Sequence, residues 1–85
     1  MSIKSLQGSH ILVIGGAGFI GSFVVGELLK QPVSEVVIYD NFTRGKTTNI
    51  QQHLADPRCS IYPHGGDIRD IDLLNDAMQG KDYVI

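Results

Sequence analysis

Three glycines spaced three apart, Gly15, Gly18 and Gly21, are the residues here best suited to holding a phosphate. An apolar run, His10 to Ile14, leads into them, and an amphipathic stretch, Phe19 to Lys30, follows. That order predicts a strand, a tight turn and a helix whose free N–H groups and dipole favour an anion. Each glycine has its own task. Gly15 permits the sharp turn, Gly18 lets the backbone approach a pyrophosphate with no Cβ in the way, and Gly21 lets the helix sit close to the strand. Gly16 adds a further flexible position. The spacing is G-x-x-G-x-x-G, not the G-x-G-x-x-G of many dinucleotide sites. A glycine turn with no ligand is the plainer alternative; the strand before and helix after favour the phosphate.

Asp40 ends a second apolar run, nineteen positions after Gly21. A carboxylate there can accept from both hydroxyls of a ribose diol, and would repel a 2′-phosphate. NAD is therefore expected over NADP, a preference that Arg44 and Lys46 soften because either could reach a phosphate. Asp67 follows the third strand, at the edge where a doubly wound sheet takes its ligand. It could accept from an adenine amino group, or cap a turn with Arg69 and Asp70 as solvated neighbours. The residues alone do not separate these.

Gly45-Lys46-Thr47 looks like the end of a P-loop, but the position of the first P-loop glycine is Asp40 and no glycine-rich turn precedes it, which excludes an NTPase. His10, His53 and His64 have no metal-ligand spacing with Cys59 or the acids, so no metal is expected. His10 and His64 should flank strands, and His53 should face solvent.

The elements that must position these residues follow from periodicity. His10 to Ile14 reads as a strand buried on both faces. Ile20, Phe23, Val24 and Leu28 recur at helical spacing, with Leu29 beside them. Gly26 inside that helix costs roughly 1 kcal/mol relative to alanine, and close packing against the sheet would explain it. Gln31-Pro32 ends the helix. Glu35 to Tyr39 is a second strand and Asp40 to Lys46 a loop. Thr48 to Leu54 is a short helix, stopped at Asp56-Pro57. Ser60 to Tyr62, beginning near Cys59, is a third strand punctuated by Gly65-Gly66. Asp70 caps a helix with Ile71, Leu74, Ala77 and Met78 on one face, and Gly80 ends it. Asp82 to Ile85 begins a fourth strand. The order βαβαβαβ predicts an α/β fold with a parallel sheet and helices on both faces.

Eighty-five residues make one small domain. A net charge of -2 gives no basic footprint, so nucleic acid is not an expected partner. The single cysteine, Cys59, excludes an internal disulfide and reads as a small buried apolar residue. Met1 to Ser5 lacks the apolar core of a leader, and the apolar run after it is too short to span a membrane. A cytoplasmic setting fits, and the sequon Asn41-Phe42-Thr43 reads as accidental.

Gly15-Gly16-Ala17-Gly18-Phe19-Ile20-Gly21-Ser22, Asp40-Asn41-Phe42-Thr43-Arg44-Gly45-Lys46 and Gly66-Asp67-Ile68-Arg69-Asp70 stand in order along the chain. Together they resemble the extended short-chain dehydrogenase/reductase family. The closer resemblance is to its NAD-dependent epimerase/dehydratase group of UDP-glucose 4-epimerases, nucleotide-sugar dehydratases and UDP-glucuronate decarboxylases. The resemblance implies a Rossmann-type doubly wound sheet, of which residues 1–85 form the N-terminal, NAD(P)-binding portion. It implies that Gly15, Gly18 and Gly21, with the Phe19 and Ile20 backbone, hold the pyrophosphate. Asp40 would hold the adenosine ribose, helped by Asn41, Thr43, Arg44, Gly45 and Lys46, while Asp67 and Ile68 would contact adenine. Phe23 stands where many members carry histidine.

The family's chemistry is transient hydride transfer with the nicotinamide, served by a tyrosine with a lysine four residues later. No such pair exists here: Thr43 follows Tyr39 at that distance, Gly66 follows Tyr62, and Tyr83 has no residue there. No catalytic residue is therefore expected in these residues. The first reading is the cofactor-binding part of a nucleotide-sugar epimerase or dehydratase, truncated before its catalytic and substrate-binding regions, with an uncovered apolar edge at Tyr83 to Ile85. The nucleotide sugar would then be a partner only of a full-length protein, which could be a homodimer. The alternative is a stand-alone module for a dinucleotide or adenine nucleotide, or an inactive remnant.

Overall fold

Four strands and three helices alternate along the chain: β1 His10–Ile14, α1 Phe19–Leu29, β2 Glu35–Tyr39, α2 Thr47–Leu54, β3 Cys59–Ile61, α3 Ile71–Met78 and β4 Tyr83–Val84. The computed structural model describes residues 6–85; Met1 to Ser5, the segment read for a leader, lies outside the described residues. Every predicted element forms, and the boundaries move by a residue or two.

The sheet is parallel, in the order β3-β2-β1-β4. β1 and β2 pair along their whole length, from His10 with Glu35 to Ile14 with Tyr39. β-branched and aromatic side chains line both faces of these strands, as burial on both sides requires. Ile11, Val13, Val36 and Ile38 face one core, closed by Val25 and Leu28 of α1 and Ile50 of α2. Leu12, Val37 and Tyr39 face the other, closed by Ala77 of α3 with Leu74 and Met78 packed against it. The chain steps outward from β1 to β2 to β3, then returns across the sheet to β4. Crossovers of one hand must then place α3 on the face opposite α1 and α2. The direction of winding reverses between β1 and β4, where such sheets open a crevice at their carboxyl ends.

Four expectations change. Leu28 is buried and Val24 and Leu29 pack against the core as expected, but Ile20 is 78% and Phe23 68% exposed and Val25 is buried in their place, so the buried face of α1 is rotated from the one expected. The helix is apolar nearly all round, and periodicity alone does not choose among its faces. On α3, Leu74, Ala77 and Met78 pack inward as expected, but Ile71 is 62% exposed. His53 does not simply face solvent: it is half-buried, and its Nε2 lies 3.0 Å from the Ser22 carbonyl of α1. A Cβ on Gly26 would stand 2.9 Å from that imidazole, so Gly26 admits α2 rather than the sheet. Asp70 caps α3 by accepting from the Leu73 N–H at 3.1 Å, and Gly80, at φ +71, takes the left-handed position after it. Cys59 is buried, and that burial pushes its thiol up to about 11, which leaves it an apolar core residue.

Candidate functional site

The loops that leave β1, β2 and β3 meet at the carboxyl edge of the sheet. Gly15 turns the chain out of β1 at φ +72, a conformation that side chains disfavour, and its N–H donates to the Tyr39 carbonyl at 2.8 Å. Gly18, the N-cap of α1, has no side chain to bond, and the first turn holds no acidic residue. The opening amides of α1, at Phe19, Ile20 and Gly21, thus lie at a helix end free for an anion. The Phe19 and Ile20 side chains are 89% and 78% exposed, so only their backbone is placed to serve. A Cβ on Gly21 would fall 2.0 Å from the Gly15 carbonyl oxygen, which makes glycine obligatory where the helix folds back on the turn. Gly16 is not merely a flexible position: a Cβ there would stand 2.8 Å from Ile38.

Asp40 ties these loops together. Its Oδ2 accepts from the Ala17 N–H of the glycine turn at 3.0 Å, and its Oδ1 accepts from the Phe42 N–H of its own loop at 2.7 Å. Each carboxylate oxygen keeps a further lone pair for a ligand. The loop closes against it at Gly45, where a Cβ would stand 2.7 Å from Oδ2 and 2.8 Å from the Ala17 Cβ. The loop after β3 crosses even closer. A Cβ on Gly66 would overlap the Asp40 carbonyl group at 2.0 Å. Phe42 takes φ +60, the left-handed region, in a turn fixed by the Asp40 and Asn41 side chains.

Asp67 closes a turn with Arg69 at the mouth of the cleft. Its carboxylate accepts from the Arg69 backbone N–H at 2.9 Å and from the Arg69 guanidinium at 2.8 to 3.2 Å. Arg69, through its side chain first and its N–H second, holds this carboxyl down at about 2, so it is ionised at neutral pH. The Asp67 carbonyl accepts from the buried Tyr39 hydroxyl at 2.8 Å, which anchors the β3 loop to the sheet.

A cleft of about 490 Å³ is lined by Gly15 and Gly18 from the first loop, Asp40, Asn41, Thr43, Arg44 and Gly45 from the second, and Asp67, Ile68 and Arg69 from the third. A second cavity of about 570 Å³ continues from it past Phe19, Ile20 and Gly21 toward Ile85, sharing Gly15, Gly18 and Arg44. Both sizes suit a small ligand. Twelve of the thirteen residues singled out from the sequence line one or the other. The exception is Lys46, which is exposed and lines neither, and whose N–H donates to the Ala17 carbonyl at 3.0 Å. Arg69, expected as a solvated neighbour, lines the cleft as well. The Asp67 turn that brings it there could have been read from the Asp-x-Arg spacing. Among the described residues, no group of three His, Cys, Asp or Glu stands ready to hold a metal ion. None of their helices is long and apolar enough to cross a membrane.

Residues 11–85 match the model of the NAD dependent epimerase/dehydratase family. The chain is 41% identical over 55 residues to UDP-glucuronic acid decarboxylase 6 of Arabidopsis thaliana, covering 65% of this chain and 16% of that protein. It is 41% identical over 81 residues to a dTDP-glucose 4,6-dehydratase of Actinoplanes sp., covering 87% of this chain and 25% of that protein. Among solved structures, the Bordetella bronchiseptica enzyme WbmF in complex with NAD+ and UDP superposes with a TM-score of 0.78 at 32% identity, over 99% of this chain and 24% of that one. The chain thus spans about a sixth to a quarter of the length of these relatives.

Proposed function

The chain belongs to the NAD dependent epimerase/dehydratase family, and from that premise we propose that its cleft holds the adenosine half of NAD for the conversion of a nucleotide sugar. The observation that carries this reading is the convergence of three loops. Open helix amides at Phe19 and Ile20, the Asp40 carboxylate and the Asp67–Ile68 segment line two adjoining cavities. The amides and the close approach at Gly15, Gly18 and Gly21 suit a pyrophosphate. Asp40 has lone pairs left for ribose hydroxyls, with Asn41, Thr43, Arg44 and Gly45 beside it. Ile68, 58% exposed, offers an apolar face to adenine next to the ionised Asp67.

NAD, when bound, supplies reversible hydride transfer. The residues of this chain bind and orient it. None of their tyrosines carries a lysine four positions on, so they are not assigned a proton transfer at the substrate. In a longer protein we place this segment in an isomerase or lyase of nucleotide-sugar metabolism, working in the cytoplasm, with a homodimer as its assembly. The decarboxylase and dehydratase relatives support the placement in nucleotide-sugar chemistry.

Calorimetric titration of the 85-residue chain tests the reading. ADP and NAD should bind with similar affinity, because the contacts reach only the ADP half. NADP should bind about tenfold more weakly, the equivalent of ~1.4 kcal/mol lost where a 2′-phosphate meets Asp40. Tighter binding of NADP, or no binding of any of the three at millimolar concentration, would contradict it.

A further inference from the structure

We propose that Asn49, on the first turn of α2 and outside the cleft, is a positioning residue for the phosphate-binding turn. Its Nδ2 donates to the Ala17 carbonyl at 2.9 Å across 32 residues of chain. The Lys46 N–H, at the N-cap of the same helix, donates to the same oxygen at 3.0 Å. The Ala17 N–H is held from the other side by Asp40 Oδ2 at 3.0 Å. Ala17 is fully buried, so its orientation is set by these partners and not by water.

The consequence falls on the next residues. The Ala17 carbonyl and the Gly18 N–H belong to one rigid peptide plane. The carbonyl end is fixed by α2, and the N–H end donates to the Gly15 carbonyl at 3.0 Å. Gly18 is the N-cap from which the open amides of α1 follow. Fixing that plane aims those amides before any ligand arrives, and a preorganised donor set binds an anion more tightly than one that must be ordered on binding. Lys46 supplies a backbone donor that any residue would supply. Asn49 supplies one that depends on its side chain, and only its NH₂ end can face a carbonyl.

This inference rests on the reading that the turn takes a pyrophosphate, and the experiment separates the two. Asn49→Ala leaves the Ala17 carbonyl bonded to the Lys46 N–H and puts the best helix former into α2. Binding of ADP and of adenosine is measured by titration on the wild-type chain and on this variant. The loss of one such buried bond predicts ADP affinity lower by about 5- to 10-fold. Adenosine, which makes no pyrophosphate contact, should bind within about twofold of wild type by the same argument. A merely structural role would weaken both ligands alike. Equal loss for both, or no loss for ADP, would overturn the positioning role. Failure of the wild type to bind ADP would overturn the function reading and this inference with it. If Asn49→Ala does not fold, Asn49→Ser, too short to reach the carbonyl, is judged by the same ratio. Loss of fold in both variants would also overturn the proposal, since Asn49 would then be a folding residue.

Discussion

Asp40 does two kinds of work that a carboxylate can do together. Its two oxygens hold the Ala17 and Phe42 amides, and the chain closes around it through Gly45 and Gly66, where no side chain fits. From its place at a strand end, the sequence predicts Asp40 as a ribose ligand, the role we propose for it. It does not mark it as the tie between two loops, because the Ala17 amide it holds is 23 residues away. The tight crossing at Gly66 is hidden for the same reason: Gly65-Gly66 reads as punctuation, while the clash a side chain would make is with Asp40. That clash is with backbone, which cannot turn aside. Gly66→Ala is therefore expected to destabilise the chain by about 3 kcal/mol, read as a lower urea midpoint. Gly80→Ala is the control for a glycine with open space around its Cβ position, where only the strain of φ +71 is felt. An unchanged midpoint for Gly66→Ala would mean that the loops after β2 and β3 do not cross this closely.

At the scale of elements, the strands were the most legible. Short β-branched runs between glycine and proline leave few choices, and β1 and β2 fall where those runs lie. Helix α1 was legible as a helix but not in its orientation, because Phe19, Ile20, Phe23, Val24, Val25, Leu28 and Leu29 surround it with apolar groups. What selects the buried face is α2, which packs through His53 against Gly26 and through Ile50 into the core. Arg58 was also silent in the sequence. Its guanidinium donates to the Leu29 carbonyl at the end of α1 and to the Gln31 and Val33 carbonyls of the connection to β2, while Asp56 holds it in place. Those partners lie 25 to 29 residues away, beyond any local pattern. The orientation of α1 and α2 has a direct consequence. Ile50→Ala, at a fully buried position, should cost about 3 kcal/mol, and Phe23→Ser, at a 68% exposed one, within about 0.5 kcal/mol. Thermal unfolding of the two variants checks this, and the reverse ranking would mean that α1 presents its other face to the sheet.

For the molecule as a whole, the radius of gyration of 11.9 Å matches the value of about 12 Å that compact chains of this length follow, so the two cores close around the sheet as in any small domain. The strand order β3-β2-β1-β4 puts the reversal of winding beside β1, and the glycine turn leaves β1 at that point. Topology and chemistry thus point to the same edge; the sequence placed it at the carboxyl ends of the strands, and the sheet order adds the point beside β1 where the winding reverses. The central claim is that this edge, and no other surface, takes the ADP half of a dinucleotide. A groove of about 580 Å³ between α1 and α2, lined by Phe23, Lys30 and Gln52, is the competing surface. A titration of the ¹⁵N-labelled chain with ADP, followed by amide chemical shifts, decides between them. The account predicts the largest shifts at Phe19, Ile20 and Gly21, with further shifts at Asn41 and Ile68 and little change at Lys30 and Gln52. Shifts centred on Lys30 and Gln52 with the glycine-turn amides unmoved, or no shifts at all, would contradict it.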